Sequence, residues 1–304
     1  MPTGYRPRFV LLAWLLVLAP GARAQHVELR SIIGKAVYFE SEPIYVAWEL
    51  TNTSSDTVWV PAFSVVFGNL SVVVLKDGSI PLSEHGLVAD QAVTDAWRGV
   101  PIPPGGHLYD AAVLQVRWGD DPPAGTRLFR RHLPPGEYVL EARFAMRAEG
   151  MDISTVVEAT PVSFHVRARS PAEDATVSRV EAIRRMPWVS GDRARSVVAL
   201  VEWTDGRFRQ DPSDPFLGFL LSYGLQTTAA ASVPVDAATV TQVAALRRTV
   251  VLAQQAAPSA AVVIDAMSYD TTTLAFLAAI PSSSLASRVA KYHLARTDRR
   301  ASHK

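Results

Sequence analysis

The stretch Ile44-Tyr45-Val46-Ala47-Trp48-Glu49-Leu50 decides the fold class of this chain. Successive side chains of a strand point to opposite faces, so every second residue of the stretch shares one apolar face, with Trp48 near its middle. The run Asn52-Thr53-Ser54-Ser55-Asp56 follows almost at once. Short polar side chains of this kind bond to nearby backbone and stabilise turns. The stretch therefore predicts a strand with Trp48 in a protein core, ended by a turn.

Turn chemistry separates further predicted strands along the first half of the chain. Asp77-Gly78 tolerates the positive φ of a tight hairpin, and Pro103-Pro104-Gly105-Gly106 and Pro134-Pro135-Gly136 mark two more chain reversals. About seven to nine short strands between residues 25 and 168 predict an immunoglobulin-like antiparallel β-sandwich. Besides the stretch already quoted, the clearest are Val58 to Val60, Leu70 to Leu75, Leu108 to Val116, Tyr138 to Phe144 and Val162 to Val166.

A helical pattern begins at Ser170. This serine suits an N-cap, Pro171 suits the first helical position, and Glu173 stands three residues after Ser170, as in a capping box. Apolar residues then recur at helical spacing, which predicts a helix as far as about Met186. The chain therefore changes from β to α structure between residues 168 and 170.

Residues 170–298 are predicted to form an all-α domain, either a compact bundle or a set of helical hairpins. In the last helix, Leu285, Val289 and Tyr292 form an apolar stripe that predicts a core-facing side. Residues 299–304 are predicted to be a basic, solvated tail. After the first helix, the others are predicted at Asp192 to Trp203, Asp214 to Tyr223, Asp236 to Gln255, Ser259 to Met267, Thr271 to Ile280 and Ser283 to Ala295.

The first 24 residues have the order of a secretory signal peptide. Two arginines precede an apolar run from Phe9 to Leu18, and the small-residue site Ala22-Arg23-Ala24 follows. The apolar run is shorter than the about 20 residues that a membrane span needs. We therefore expect cleavage near Ala24 and an exported mature chain, periplasmic or extracellular, with no transmembrane segment.

Composition narrows the classes of partner and chemistry. The chain holds 30 Lys and Arg against 29 Asp and Glu, and it loses three arginines with the leader. A near-neutral protein is a poor match for nucleic acid, which normally demands clustered positive charge. The absence of cysteine excludes disulfides, thiol nucleophiles and Cys-ligated zinc. A sizeable core in each of two domains must supply the stability instead.

No local motif nominates a catalytic, cofactor-binding or metal-binding residue. The sequence lacks G-x-S-x-G, S-x-x-K, G-x-G-x-x-G and the P-loop pattern, and its acids select no catalytic pair. None of the histidines forms a ligand pair such as H-x-H or H-E-x-x-H, so we expect surface or half-buried histidines. A non-enzymatic protein without cofactor or metal is therefore predicted. The histidines are His26, His85, His107, His132, His165, His293 and His303.

Two further patterns allow more than one interpretation. Tryptophans are able to line a carbohydrate or peptide groove, but packing against a sandwich or helices is the interpretation we favour for four of them. Those four are Trp97, Trp118, Trp188 and Trp203. Asn52-Thr53-Ser54 and Asn69-Leu70-Ser71 match the glycosylation acceptor pattern, which matters only in a eukaryotic source.

The turn and core residues of the first half resemble those of the bacterial intracellular proteinase inhibitor family. The residues that carry the resemblance are Ser41-Glu42-Pro43-Ile44, Pro104-Gly105-Gly106 and Leu133-Pro134-Pro135-Gly136-Glu137-Tyr138. The resemblance covers the sandwich half alone, and the export leader departs from the family's intracellular setting. It implies an immunoglobulin-like sandwich whose loops contact a protease.

Two classes of function remain open on the sequence. The first is a non-enzymatic exported protein that binds a protein partner through long sandwich loops, with protease inhibition as one version. The predicted contact loops are Phe63 to Leu70, Leu82 to Val100 and Trp118 to Arg131. The second is a hydrolase-like enzyme with its site in the cleft between the domains. Converging acidic, histidine or serine side chains in that cleft favour the enzyme, and an apolar junction favours binding.

Overall fold

The structure is a computed structural model that covers both predicted halves of the chain. The signal peptide, the predicted loop Leu82 to Val100 as far as Arg98, and the predicted loop Trp118 to Arg131 lie outside the described residues. The described residues are 27–65, 69–77, 80–81, 99–114, 133–147, 154–184, 193–231, 235–267, 271–281 and 283–302.

The described strands fall into two main sheets and a short ribbon. One sheet has the order β1-β3-β8, the larger has the order β2-β11-β9-β5-β6 with β10 also on β9, and β4 pairs with β7. All pairs are antiparallel except β2 with β11. The strands are β1 Val27–Ile33, β2 Val37–Phe39, β3 Ile44–Asn52, β4 Val58–Val60, β5 Leu70–Lys76, β6 Ile80–Pro81, β7 Val100–Ile102, β8 His107–Leu114, β9 Gly136–Arg147, β10 Ser154–Glu158 and β11 Val162–Arg167.

The stretch that decides the fold class forms β3, as predicted. Trp48 is 0% exposed, and the alternate residues of β3 on its side, from Ile44 to Leu50, are equally buried. They join the inward side chains of β9, such as Leu140 and Phe144, in one apolar core. The other five predicted strands are confirmed as β4, β5, β8, β9 and β11, with ends shifted by a few residues. The turn before β8 places Gly105 at φ 65°, where a residue without Cβ is favoured.

Seven helices follow in the described part of the chain. Each predicted helix is confirmed, and none of these described helices is both long and apolar enough to cross a bilayer. The helices are α1 Pro171–Arg184, α2 Arg193–Gln210, α3 Leu217–Ala231, α4 Val235–Ala253, α5 Pro258–Ala266, α6 Thr271–Ala279 and α7 Leu285–Ser302.

Four helix boundaries differ from the prediction by three residues or more. Helix α2 continues past the predicted end at Trp203 to Gln210, and α3 continues past the predicted end at Tyr223 to Ala231. The other two differences have local reasons. Helix α3 begins at Leu217 and not at Asp214, because the Asp214 carboxylate accepts the Phe216 N–H (2.8 Å) in the turn before the helix. Helix α7 continues to Ser302, so the tail predicted from residue 299 is helical through residue 302. No Gly or Pro interrupts the chain after Ala295, and the helix therefore has no local reason to end there.

The capping box at the start of α1 is present. The Ser170 N–H donates to Glu173 Oε2 (2.7 Å), and the Glu173 N–H donates to Ser170 Oγ (3.4 Å). Arg167, the last residue of β11, also binds the Glu173 carboxylate through both terminal nitrogens, at 2.9 and 2.5 Å. The Arg167 hydrogen bonds are the main cause that lowers the pKa of Glu173 to about 2. The same carboxylate therefore caps α1 and ties it to the sheet.

This capping site makes a pH-dependent contribution to stability. Folding lowers the pKa of Glu173 from its ordinary value of 4.5 to about 2. The stabilisation that the ionised carboxylate gives the folded state is therefore fully present above pH 4.5 and is lost as the pH falls towards about 2. We expect NMR titration of the Glu173 carboxyl to show a midpoint near 2, and Arg167→Gln to move it back towards 4.5. A midpoint that Arg167→Gln leaves unchanged would contradict the assigned cause.

Candidate functional site

The hydrolase hypothesis predicts an active site at the junction between the sheets and the helices. The outer face of β3 carries Tyr45, Ala47 and Glu49, which alternate with the core residues. Helix α5 packs on this face and on β8. Ala47 and Ala111 lie opposite each other across β3 and β8, and their small side chains allow the helix to approach closely. The described junction is therefore packed, and β3 is covered on both faces.

Tyr45 anchors one end of the junction. Its hydroxyl donates to the Pro215 carbonyl (2.6 Å) and accepts the N–H of Phe219 (2.7 Å), which lies in the first turn of α3. A Cβ on Gly218 would lie 2.9 Å from the Ser259 Cβ and 3.2 Å from the Tyr45 ring. Only glycine at position 218 allows this approach. Burial is the main cause that raises the pKa of Tyr45 well above 10, so its phenol stays protonated.

Glu49 anchors the other end, where two donors and a histidine ring surround one of its oxygens. The histidine, His107, also forms a hydrogen bond between its Nδ1 and Thr51 Oγ1 (3.0 Å). Glu49 Oε1 accepts Tyr109 Oη (2.6 Å) and Arg288 Nη1 of α7 (2.8 Å), and His107 Nδ1 lies 3.1 Å away. The Glu49 side chain is 5% exposed, whereas those of His107 and Arg288 are 35% and 37% exposed. The carboxylate therefore forms the floor of the cluster, and the two basic groups form its rim.

The chemistry of this cluster favours a structural lock. Burial, followed by the hydrogen bond to Glu49, raises the pKa of Tyr109 far above its usual range, which keeps the phenol protonated as a donor. Arg288 also lies over the Tyr109 ring, 5.8 Å from its centroid, and Tyr292 of α7 meets that ring edge-on at 5.9 Å. Glu and His do converge at the junction, as the hydrolase hypothesis requires. Their contacts, however, are directed to one another and to α7, and they hold the helix on the sheet.

The described histidines each lie beside a carboxylate. His107 pairs with Glu49 as above, His165 Nδ1 lies 2.7 Å from Glu137, and His293 Nε2 lies 3.6 Å from Asp265. In the part of the chain that the structure describes, no group of three or more His, Asp or Glu has the arrangement of a metal site. The other four histidines, His26, His85, His132 and His303, lie outside it.

The predicted contact loop Phe63 to Leu70 is wrong for its described residues. Phe63, Val65 and Leu70 are buried, and the Phe63 ring packs against Phe144 at 5.2 Å. The Val65 N–H donates to the buried Asp110 carboxylate (2.7 Å), which holds the segment on β8. The described residues of this segment, 63–65 and 69–70, are all buried, so they close the core and do not form a contact surface.

An exposed tryptophan that the sequence analysis did not single out lies beside this segment. Trp59, in β4, is 68% exposed, and its ring lies over the backbone of Gly99. Its strand neighbours alternate as expected: Val60 is buried, as is Ile102 on the partner strand β7. The sequence contained a signal for this exposure, because alternation in Val58-Trp59-Val60 places Trp59 on the face opposite to the two valines. Of the four tryptophans weighed from sequence, Trp203 is half-buried and the others lie outside the described residues.

Both glycosylation patterns are occupied by structural hydrogen bonds. The Asn52 amide donates to the carbonyls of Asp56 (2.7 Å) and Ile102 (2.8 Å), and its oxygen accepts the Ser54 N–H (2.9 Å). Asn69 donates to the Ala62 carbonyl (3.2 Å). Both side chains are buried. These asparagines fix turns and do not present their amides for modification.

Comparison with known proteins shows no family for this chain. No family model matches it, and no curated protein matches it. A solved structure with a local likeness is that of the Pseudomonas fluorescens alkylpurine DNA glycosylase AlkC bound to DNA containing an abasic site analog. The match has 14% identity and a TM-score of 0.26, and it covers 47% of this chain and 31% of that one. The resemblance to the proteinase inhibitor family therefore stays a prediction.

The prediction of a non-enzymatic protein is corrected at this point. The finding against it is that this neighbour is an enzyme, a DNA glycosylase. A TM-score of 0.26 carries no argument about fold or activity, so no glycosylase activity is assigned in its place. The packed Glu49 cluster holds α7 on the sheet.

Proposed function

We propose that the protein is an exported protein-binding module whose contact surface is centred on Trp59. The single observation that carries the proposal is the 68% exposure of this tryptophan on a strand between the half-buried Val58 and the buried Val60. Tryptophan is among the residue types most enriched at the energetic centres of protein interfaces. The predicted leader, with its site at Ala22-Arg23-Ala24, supports export.

The strand order supports an immunoglobulin-like sandwich as the scaffold of this surface. The order β1-β3-β8 matches the pairing of strands A, B and E in that fold. The order β11-β9-β5 matches the pairing of its strands G, F and C. In such sandwiches the loops cluster at the two ends, where binding usually occurs. The β4–β7 ribbon belongs to the connections that leave β3 and enter β8.

The ribbon presents Trp59 with little freedom. Val60 and Ile102 insert into the core beneath it, and Gly99 supports one side of the indole ring. A rigidly held aromatic side chain loses little conformational entropy when a partner binds. The partner that fits is a protein with an apolar pocket of indole size.

The helical half completes the module as a support. Tyr45 and Glu49 tie α3 and α7 to the outer face of β3, on the β1-β3-β8 sheet. That face is therefore closed to partners, and the β4–β7 ribbon is the part of the β half that carries an exposed large aromatic side chain among the described residues. This arrangement assigns recognition to the ribbon and support to the helices.

Trp59→Ala tests the proposal. The chain from Gln25 to Lys304 is immobilised, challenged with envelope and culture extracts, and its partners are identified by mass spectrometry and then measured singly by calorimetry. We expect Trp59→Ala to weaken the recovered complex by about 2 kcal/mol or more, about 30-fold in Kd. A protease among the Trp59-dependent partners would identify inhibition as the mode of action.

Phe276→Ala is the matched control, since Phe276 is 50% exposed but lies on α6 in the helical half. We expect this variant to bind as the parent chain does. Partners that are retained equally by Trp59→Ala and the parent chain would refute the assignment of the contact surface.

A further inference from the structure

The hydrogen-bond pattern of the β4–β7 ribbon fixes which way the backbone of Trp59 points. In an antiparallel pair, residues whose N–H and C=O point to the partner strand alternate with residues whose N–H and C=O point away from it. Trp59 lies opposite Pro101 in the ribbon. Proline has no N–H, so these two residues cannot exchange a pair of hydrogen bonds. The ladder bonds therefore belong to the residue pairs on either side, and the backbone of Trp59 points to the outer edge of β4.

The outer edge of β4 carries free backbone groups. Among the described strands, β4 pairs with β7 alone. Thr57 directly precedes β4, and its backbone faces the same edge as that of Trp59, because every second residue of an extended chain shares an edge. Within the described residues, neither backbone has a hydrogen-bond partner at this edge, and both residues are exposed. Pro61 lacks an N–H, so the donors of this edge end at Trp59.

The outer edge of β7, by contrast, is blocked by proline. The residues whose backbone faces that edge are Gly99, Pro101 and Pro103. Two of these three residues lack an N–H, and proline is one of the residues with which proteins protect a sheet edge from pairing. The Trp59 ring leans towards this side, with its Cε3 atom 3.1 Å from the position of a Cβ on Gly99. The indole therefore leaves the backbone of the β4 edge uncovered.

We propose that the protein partner adds an extended segment to the outer edge of β4, where it pairs with Thr57 and Trp59. The inference rests on the proposed function, which centres the contact surface on the same ribbon. Strand addition satisfies the free donors and acceptors through main-chain hydrogen bonds, and side chains at alternate positions provide specificity. The side chain opposite Trp59 lies beside the indole, where aromatic and β-branched residues are favourable neighbours. The partner is therefore a protein whose extended segment carries such a residue.

A random linear peptide library displayed on phage supplies the probe for this proposal. Peptides are selected on the immobilised chain from Gln25 to Lys304, with counter-selection on Trp59→Ala, and the strongest binder is synthesised. We expect it to bind Thr57→Pro about tenfold more weakly than the parent chain, because this substitution removes one N–H donor from the edge. Thr57→Ala is the matched control, since it keeps the N–H, and it is expected to bind as the parent chain does. Circular dichroism checks that both variants fold.

Amide hydrogen exchange in the parent chain is a second measurement, and it needs no substitution. The N–H groups of Thr57 and Trp59 are expected to exchange about tenfold more slowly in the peptide complex than in the free protein. Those of Val58 and Val60 are the internal control, because the ladder to β7 already holds them in the free protein.

The outcomes separate strand addition from the proposed function. A Trp59-dependent peptide that leaves the Thr57 and Trp59 amides unprotected would overturn strand addition but keep Trp59 as the contact surface. Failure to select any Trp59-dependent peptide would also overturn strand addition, whereas the natural partners recovered from extracts decide the proposed function separately. A dimer of the free chain that Thr57→Pro dissociates would assign the edge to a second copy and contradict the proposal.

Discussion

Trp48→Ala is expected to lower the free energy of unfolding by about 3–5 kcal/mol, the cost of removing a large aromatic side chain from a closed core. Trp48 is 0% exposed and lies in β3, whose outer face is covered by the helices. The surrounding residues have little room to collapse into the space. Chemical denaturation followed by circular dichroism measures the change.

Trp59→Ala is the matched control for this substitution. The same side chain is removed from a site that is 68% exposed, and we expect a change in stability within about 0.5 kcal/mol. We therefore expect the two substitutions to have different effects. Trp48→Ala is expected to lower stability, and Trp59→Ala is expected to weaken partner binding. A destabilisation of similar size at both positions would contradict the placement of Trp48 in the core or of Trp59 on the surface.

The unpaired indole N–H of Trp48 allows a second substitution at the same position, which separates the cost of lost packing from the cost of the unpaired donor. Its Nε1 is buried and has no hydrogen-bond partner in the described structure, which is costly for a donor. Trp48→Phe removes that donor together with part of the ring. We expect it to cost clearly less than Trp48→Ala, since the lost packing is offset by removal of the unpaired group.

Tyr45→Phe is expected to lower the free energy of unfolding by about 2–4 kcal/mol, although it removes a single oxygen atom. The hydroxyl donates a hydrogen bond to the Pro215 carbonyl and accepts one from the Phe219 N–H. Phe219 is buried and Pro215 is half-buried, and a buried group that loses a hydrogen bond costs about 1–3 kcal/mol. Because these groups belong to the helical half and Tyr45 to β3, the substitution is expected to destabilise both halves together.

Amide hydrogen exchange followed separately in β3 and α3 measures this coupling. We expect faster exchange in both elements, with the same change in the free energy of opening. Tyr138→Phe is the control, because the Tyr138 hydroxyl donates to the Pro134 carbonyl (2.5 Å) within the β half. It removes one hydrogen bond and is expected to cost about 1 kcal/mol. Faster exchange in α3 with β3 unchanged would show that the halves unfold independently.

Together the two sites describe how the β and α halves depend on each other. The core around Trp48 and the helical core around α5 belong to one continuous apolar cluster. Two domains, each with a sizeable core, were predicted from the sequence, and only the hydrolase hypothesis placed a cleft between them. The packed face of β3 accounts for the closed junction, and its polar anchors, Tyr45 and Glu49, set the position of α3 and α7.

The local elements of this protein are determined by its sequence. Alternation in β3 placed Trp48 in the core, and the Ser170–Glu173 spacing predicted the capping box that the structure contains. The apolar stripe of Leu285, Val289 and Tyr292 identified the buried side of α7. These predictions succeeded because side-chain periodicity and capping depend on residues within one or two turns of each other.

The junction was decided by the tertiary structure alone. Arg288 and Glu49 stand 239 positions apart, and Tyr45 and Phe219 stand 174 apart. No local sequence pattern indicates a contact at such a separation. The sequence therefore predicts only a solvent-facing side of the strand for Tyr45, Ala47 and Glu49. Only the docking of α3, α5 and α7 turns that face into an interior, because burial and hydrogen-bond partners depend on what packs against a residue and not on its neighbours in the chain.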